Sequence, residues 1–189
     1  VPLTEEMRVN VKHLSETLNS EGMRVIAVAY KNDNKPYHKA YAVQDESTMI
    51  LTGYIGFLDP PKPSAASAIQ ALQKHGVQVK ILTGDNEIVT KKVCKEVGLN
   101  IGEPVLGYEI DSLPDKTLAT LAEETTVFAK LNPMQKSRII RVLQGNGHTV
   151  GYMGDGINDA VALRDADVGI SVDTATDIAK ESSDIILLE

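Results

Sequence analysis

Hydrophobic and polar positions alternate along most of this chain with the periods of helices and short strands. Residues 4–20 repeat apolar side chains at helical spacing, which predicts an amphipathic helix. The apolar runs over residues 25–30 and 49–57 predict two strands, the first of them buried.

From residue 64 onward, amphipathic segments alternate with short, continuous apolar runs. We predict helices over residues 64–75, 86–97, 115–124, 132–143, 158–164 and 174–181, and strands over 77–82, 127–129, 149–153, 168–170 and 185–188. Apolar strands separated by helices are typical of a parallel sheet covered on both faces. The pattern therefore predicts an α/β fold with a parallel, Rossmann-like sheet.

A rigid segment separates these two parts of the chain. Residues 59–63 read Asp-Pro-Pro-Lys-Pro, and prolines so close together hold the backbone extended. This segment is a candidate domain boundary.

Composition narrows the possible functions. Hydrophobic residues make up 42% of the chain and aromatic residues only 4%, so a core must be built mainly from Val, Ile, Leu and Ala. The net charge of −7 disfavours nucleic acid as a partner, because a phosphate backbone attracts a basic surface. The lone cysteine, Cys94, excludes an internal disulfide and suits a reducing compartment.

The sequence carries neither a membrane-helix pattern nor a secretion signal. No apolar run approaches the roughly 20 residues that a membrane helix needs, and the N-terminal residues lack the features of a signal peptide. We therefore expect the polypeptide as given to be soluble. Its start at Val1 rather than at methionine suggests a segment of a longer protein.

Two predicted strands end at a Gly-Asp pair that precedes a helix. The first pair lies in Thr83-Gly84-Asp85, and the second in Gly154-Asp155-Gly156-Ile157-Asn158-Asp159. Ligands of parallel α/β sheets bind at the carboxyl ends of the strands. Glycine there admits a ligand, and the helix N-terminus favours an anion.

The second motif places Asp155 and Asp159 four residues apart across a strand-to-helix turn. Two carboxylates near such a helix end suit a divalent cation that bridges them to a phosphate. The alternative is that Asp155 is a turn residue and Asp159 a first-turn helix acid. The clustering of acid and amide side chains around two glycines favours the metal site.

Thr83 and Lys136 are candidate phosphate ligands. The Thr83 hydroxyl can donate to a phosphoryl oxygen, or it can cap the helix that begins near Asn86. Lys136 lies in the first turn of a predicted helix, where its charge opposes the helix dipole. Neutralising a phosphoryl group would explain that placement, and the alternative is a solvated surface lysine.

These motifs carry a resemblance to a known family. Thr83-Gly84-Asp85, Lys136 and residues 154–159 appear in the order used by the haloacid-dehalogenase-like superfamily. Asp59-Pro60-Pro61-Lys62 resembles the hinge motif of its P-type ATPases, and residues 89–99 with 171–173 resemble the bacterial magnesium-transporting members.

The resemblance implies two domains and an activity. Residues 1–47 would be the C-terminal part of a nucleotide-binding domain, and residues 48–189 a phosphorylation domain with a haloacid-dehalogenase-like sheet. The parent would transfer the γ-phosphoryl group of ATP to an aspartate and then hydrolyse the aspartyl-phosphate. It would pump a cation, Mg²⁺ by subclass, with this chain at the cytoplasmic face of a bacterial inner membrane and the membrane domain of the same protein as its partner.

The same resemblance assigns roles to single residues. Asp155 would bind the catalytic Mg²⁺ with Asp159 at the same site, Thr83 and Lys136 would hold phosphoryl oxygens, and Asn158 would orient the phosphoryl group. The remaining assignments, for contacts to nucleotide and hinge, are Gly84, Asp85 and Asp59. Val161 stands where most members have proline, and we expect only a small change in how the helix begins.

The family's nucleophile belongs to an Asp-Lys-Thr-Gly-Thr motif, which this sequence lacks. Residues 115–117 read Asp-Lys-Thr, but they follow Ser112-Leu113-Pro114 rather than a buried strand, and the glycine is missing. We interpret them as the start of a short surface helix capped by Ser112 or Asp115.

The missing motif has a structural consequence. In this superfamily the nucleophile strand lies between the strands that end at Thr83 and Met153. The sheet must then leave a gap, close it by direct pairing, or borrow a strand. We expect the chain alone to be catalytically inactive.

Three functions remain in competition. The chain is a fragment of a cation pump, a free-standing Mg²⁺-dependent phosphatase of the same superfamily, or in isolation a non-catalytic module that binds Mg²⁺ or nucleotide. The hinge motif at residues 59–62 favours the pump, because it has no obvious use in a phosphatase.

Overall fold

The computed structural model describes residues 3–32, 41–58 and 60–188. They form two compact units, divided between Pro60 and Pro61. The division lies within the proline segment, and Asp59 of the hinge motif lies outside the described residues. Residues 48–60 therefore group with the first unit, whereas the sequence interpretation joined them to the second domain. The assignment of the units to nucleotide-binding and phosphorylation domains stays a prediction.

The first unit is a helix followed by an antiparallel strand pair. It contains α1 (Glu5–Ser20), β1 (Met23–Tyr30), a 3₁₀ turn (Val43–Asp45) and β2 (Ile50–Leu58). The Thr4 hydroxyl caps α1 by accepting the Met7 N–H at 3.3 Å, as the predicted helix start requires.

The prediction that β1 is buried is wrong. None of its residues is buried, and Ile26, which pairs with Ile55 of β2, is 51% exposed. The physical reason is that the described residues of the unit supply one α-helix for a two-stranded sheet, and a single helix covers only one face.

The second unit alternates helices with short strands. Its elements are α2 (Ala65–Lys74), β3 (Ile81–Leu82), α3 (Glu87–Glu96), β4 (Val105–Leu106), α4 (Gly107–Asp111), α5 (Asp115–Glu124), β5 (Val127–Ala129), α6 (Pro133–Gly145), β6 (Gly151–Met153), a 3₁₀ turn (Ile157–Asp159), α7 (Ala160–Asp165), β7 (Val168–Val172), α8 (Asp177–Glu181) and β8 (Ile185–Leu187). Every strand pair in this unit is parallel, so the predicted α/β class is confirmed.

Helices cover both faces of the sheet around β5. Val127 and Phe128 follow each other in β5, so their side chains lie on opposite faces, and both are buried. Phe128 packs into a cluster with side chains of α4, α5 and α6, and Val127 into a cluster with side chains of α2 and α3.

The parallel strands form two three-stranded sheets, in the orders β3-β5-β4 and β6-β7-β8. β3 and β6 are outer strands, and no strand of the described residues pairs with both of them. Leu82 and Val150 each pack against the core clusters of both sheets, which therefore share one interior. Of the three predicted outcomes for the missing central strand, direct pairing of β3 with β6 is therefore wrong; a gap or a borrowed strand stays a prediction.

Within residues 3–32, 41–58 and 60–188, we find no helix with the length and apolar character needed to cross a bilayer.

Candidate functional site

The first Gly-Asp motif forms a loop after β3 that is tied to the segment after β5. The Thr83 N–H donates to the Phe128 carbonyl at 3.0 Å, and the Thr83 carbonyl accepts the Leu131 N–H at 2.9 Å. The Asp85 carbonyl accepts the Lys130 N–H at 2.8 Å. These bonds fix the Thr83 loop relative to the start of α6.

The Thr83 hydroxyl does not cap α3. It accepts the Asp85 N–H at 3.0 Å, while the Asn86 side chain accepts the N–H groups of Ile88 and Val89 at 3.0 and 2.9 Å. The capping alternative for Thr83 is therefore wrong. Its hydroxyl hydrogen remains a donor that a phosphoryl oxygen can accept.

The start of α6 is built to hold Lys136 in place. Asn132 and Gln135 form a reciprocal capping box, with distances of 2.9 and 2.8 Å, and Pro133 presets the first helical residue. Lys136 follows at once and is only 8% exposed, so the alternative of a solvated surface lysine is wrong.

Asp159 is the centre of a buried polar cluster at the carboxyl end of β6. Its Oδ1 accepts a hydrogen bond from Lys136 Nζ at 2.7 Å and one from the Tyr152 hydroxyl at 2.7 Å. Its Oδ2 accepts the Gly156 N–H at 3.1 Å. Asp159 is 9% exposed. A Cβ added at Gly154 would lie 2.6 Å from the Cβ of Asp159, so glycine at this position makes room for the Asp159 side chain.

The surroundings keep Asp159 ionised. Burial by itself raises the pKa of the Asp159 carboxyl, but the hydrogen bonds from Lys136 and Tyr152 and the charge of Lys136 more than offset burial, and the pKa is lowered. Burial, together with the hydrogen bond to Asp159, raises the pKa of the Tyr152 hydroxyl far above its ordinary range. Tyr152 is therefore a protonated donor to a carboxylate.

Asp155 and Asn158 are exposed in the loop after β6. The Asp155 carbonyl accepts the Thr176 N–H at 3.0 Å and the Thr176 hydroxyl at 3.2 Å, which ties the loop to the segment before α8. Asp155 directly follows Gly154, whose N–H donates to the carbonyl of Ile170 in β7.

The donor set suits Mg²⁺ only in part. Carboxylate oxygens are the ligands that a hard cation takes, and the exposed Asp155 side chain is placed to supply one. Both oxygens of Asp159 already have protein partners. Among the residues that the structure describes, no three Asp, Glu, His or Cys side chains form a group that could hold a metal. A complete Mg²⁺ site therefore needs oxygen ligands besides these two carboxylates.

Two residues near the site have no recognisable signal in the sequence. Tyr152 occurs in an apolar strand, where an aromatic residue indicates only core packing, and Lys130 occurs in a short connection. Lys130 has a φ of +54°, which is unusual for a residue other than glycine. Its Nζ lies 2.9 Å from Glu87 Oε2. The hydrogen bond from Lys130 lowers the pKa of Glu87.

The Asp-Lys-Thr sequence at residues 115–117 begins a helix, as predicted. Asp115 is the first residue of α5, which spans the predicted residues 115–124, and its Oδ1 accepts hydrogen bonds from Arg138 Nε and Nη2 at 2.9 and 2.7 Å. The N-cap is Pro114, so the expectation of Ser112 or Asp115 as cap is wrong.

The structure thus joins three of the predicted segments at the carboxyl ends of β3, β5 and β6. A sequence profile of the haloacid dehalogenase-like hydrolases matches residues 5–167. The chain belongs to that family.

The most informative relatives are transport ATPases. Over its whole length the chain is 56% identical to the magnesium-transporting ATPase, P-type 1, of Escherichia coli strain K12 and 56% identical to that of Salmonella typhimurium strain 14028s. It is 30% identical over its whole length to a calcium-transporting ATPase of Listeria monocytogenes. The chain spans only 21% of the length of the first two proteins and 22% of the third. The resemblance to P-type ATPases is confirmed.

Proposed function

We propose that this chain is the phosphate- and Mg²⁺-binding part of a P-type ATPase that pumps a cation, Mg²⁺ by its similarity to the magnesium transporters. The observation that carries the proposal is the convergence of the Thr83 loop, the buried Lys136 and the loop at residues 154–159 at one edge of the parallel sheets. The parent would hold this chain at the cytoplasmic face of a membrane, with its membrane domain as partner.

Each residue has a defined task in this proposal. Lys136 and the Thr83 hydroxyl bind and orient phosphoryl oxygens, and Asn158, exposed in the loop after β6, would orient the phosphoryl group. Asp155 and Asp159 would hold Mg²⁺, which supplies charge neutralisation at the phosphoryl group when bound. Gly84 is exposed, and Asp85 is half-buried with its carbonyl bonded to Lys130; these two residues and Asp59 are the proposed nucleotide contacts.

The open edges of β3 and β6 support the fragment interpretation. A phosphorylation domain of this family needs a strand that brings its nucleophilic aspartate to the carboxyl ends of these sheets. β3 and β6 are both outer strands and can pair with such a strand. We therefore expect the 189-residue chain to hydrolyse neither ATP nor phosphate esters with Mg²⁺ present. Robust turnover by this chain alone would favour the second candidate, a free-standing phosphatase of the same family.

The decisive experiment uses the longer protein that contains this chain together with an upstream Asp-Lys-Thr-Gly-Thr motif. Incubation with γ-labelled ATP and Mg²⁺ should give an acid-stable phosphoenzyme that hydroxylamine cleaves. Lys136→Met should slow its formation by roughly 10²- to 10³-fold, the effect of removing one preorganised partner of a developing charge. Lys74→Met, on an exposed residue of α2, is the control and should leave the rate unchanged. A labelled protein that forms equally well with Lys136→Met would contradict the assigned role.

Cation transport is tested separately, in membrane vesicles that contain the same longer protein. ATP should drive Mg²⁺ across the membrane, and Ca²⁺ should not replace it. If phosphoenzyme formation instead requires Ca²⁺ as the transported ion, the magnesium assignment is overturned. The ATPase assignment would still stand.

A further inference from the structure

The Tyr152 hydroxyl is a side-chain donor of the polar cluster that the proposed mechanism does not use. Tyr152 lies in the middle of β6, between Gly151 and Met153, which are both exposed while Tyr152 is 9% exposed. Its ring packs with Ile140 of α6 and Leu163 of α7 in a core cluster. The ring is therefore held by packing, and the hydroxyl is the part that reaches the site.

The hydroxyl and Lys136 share one oxygen atom. Both donate to Asp159 Oδ1 at 2.7 Å, while the Gly156 N–H holds Oδ2 at 3.1 Å. An ammonium group has three N–H donors, so the bond to Asp159 leaves others for a phosphoryl oxygen. Two donors on one carboxylate oxygen also limit how strongly that oxygen can attract either of them.

We propose that Tyr152 is a positioning residue of the phosphoryl-transfer site: its hydroxyl fixes the Asp159 carboxylate, which in turn places Lys136 for a phosphoryl oxygen. This inference rests on the proposed function, since it assumes that Lys136 binds phosphate. Tyr152 itself does not touch the phosphoryl group. Without its hydroxyl, Asp159 Oδ1 has Lys136 as its remaining side-chain donor, the pair tightens, and the lysine is less available to a ligand.

The test uses the full 189-residue chain and inorganic phosphate with excess Mg²⁺ as the probe. The Lys136 Nζ–H signal in ¹H–¹⁵N NMR spectra, assigned by its loss in Lys136→Arg, reports the lysine directly. In the wild-type chain, phosphate should shift this signal in a saturable way. Tyr152→Phe should move the signal before phosphate is added, and should raise the phosphate dissociation constant by roughly tenfold, the loss expected for one hydrogen bond to a charged group.

The matched control is Tyr54→Phe. This change also removes a partly buried hydroxyl, which donates to the Val11 carbonyl at 3.1 Å in the first unit. It should lower stability without altering the Lys136 signal or the phosphate affinity. Both variants keep the aromatic ring of the residue that is changed, so each is expected to fold.

Three outcomes are distinguishable. A Tyr152→Phe chain with the wild-type Lys136 signal and phosphate affinity overturns the positioning role and leaves the proposed function standing. Equal effects from Tyr54→Phe also overturn it, because the effect is then one of general stability. A wild-type chain whose Lys136 signal ignores phosphate contradicts the role of Lys136 in the proposed function, and the inference fails with it.

Discussion

At the scale of single residues, the ion pair of Lys136 with Asp159 constrains the site, because both charges are almost completely buried. The side chains are 10% and 13% exposed. The mutual attraction of two buried charges is largely cancelled by the loss of hydration, whereas removal of one partner leaves the other uncompensated. Removal of one partner therefore costs more free energy of unfolding than the intact pair contributes.

This asymmetry predicts the effect of Asp159→Asn. The change keeps the size of the side chain but leaves the Lys136 ammonium without a buried counter-charge. We expect a loss of about 3–5 kcal/mol in the free energy of unfolding of the second unit, measured by urea denaturation. Arg141→Gln is the control, since Arg141 is 64% exposed in its pair with Asp165 and its loss should cost under about 1 kcal/mol. Equal losses in the two variants would contradict the assignment.

The same pair gives a pH dependence with a defined sign. The pKa of Asp159 is lowered below its ordinary value of 3.8, so the folded state favours the ionised carboxylate. The wild-type chain should keep its advantage over Asp159→Asn from neutral pH down to that value, and lose it as the pH falls further through the lowered pKa. Urea midpoints of the two proteins over this range provide the measurement. An advantage that grows as the pH falls would be inconsistent with an ionised Asp159.

At the scale of elements, α6 carries the site because its first turn is closed on both sides. The Asn132 side chain accepts the Gln135 N–H at 2.9 Å, and the Gln135 side chain accepts the Asn132 N–H at 2.8 Å. The Gln135 amide also donates to the Gly107 carbonyl at 2.9 Å, which joins α6 to α4. Lys136 therefore sits one residue beyond a doubly fixed position.

Removal of the cap should act on stability and on the site together. Asn132→Ala is expected to cost about 1 kcal/mol in the free energy of unfolding, the usual effect of losing an N-cap. It should also broaden or shift the Lys136 Nζ–H signal. The matched control is Thr4→Ala, which removes the N-cap of α1 in the first unit and should leave that signal unchanged. An unaffected signal in Asn132→Ala would show that tertiary contacts alone place the lysine.

The elements also explain which predictions succeeded. α5 spans the predicted residues 115–124 because an amphipathic helix is recorded in local periodicity. β4 and α4 are absent from the prediction, since a two-residue strand and a five-residue helix have no period to detect. The strand predicted over residues 77–82 keeps only its last two residues, because the pairing with β5 begins there.

The arrangement of the candidate site was predictable only in part. The residue types and their order at the strand ends indicated a phosphate and metal site, because glycines and acids at a turn form a short local sequence pattern. The contact between Lys136 and Asp159 spans 23 positions and depends on the packing of α6 against the loop after β6. Tyr152 could not be assigned, since its hydroxyl acquires a role only through that tertiary contact.

At the scale of the whole molecule, the outer strands β3 and β6 predict where backbone amides are unprotected. In a parallel ladder, successive N–H groups of a strand point to opposite neighbours. Thr83 and Gly154 donate to β5 and β7, so the N–H groups of Leu82 and Met153 point to the open edges. We expect these two amides to exchange quickly with solvent, although their strands lie in the second unit, which contains the core clusters. In the longer protein with the upstream strand both should become protected, and slow exchange in the chain alone would show that the gap is closed.

The two units should also differ in how readily they open. Every buried apolar side chain of the described residues lies between Cys94 and Ala179, in the second unit. The first unit, over residues 3–32, 41–58 and 60, has an α-helix, a 3₁₀ turn and a two-stranded sheet, and none of these residues is buried. A strand pair of that kind is marginally stable in water, because it buries too little apolar surface to offset the entropy of ordering it.

We therefore expect the amides of β1 to exchange at lower denaturant concentrations than the amide of Phe128, measured by native-state hydrogen exchange. A chain of residues 61–189 is the control, and it should retain the slowly exchanging amides of β5 because its three core clusters are complete. If β1 and β5 instead open together at one denaturant concentration, the first unit draws its stability from the second. The division at the proline segment would then be one of geometry and not of folding.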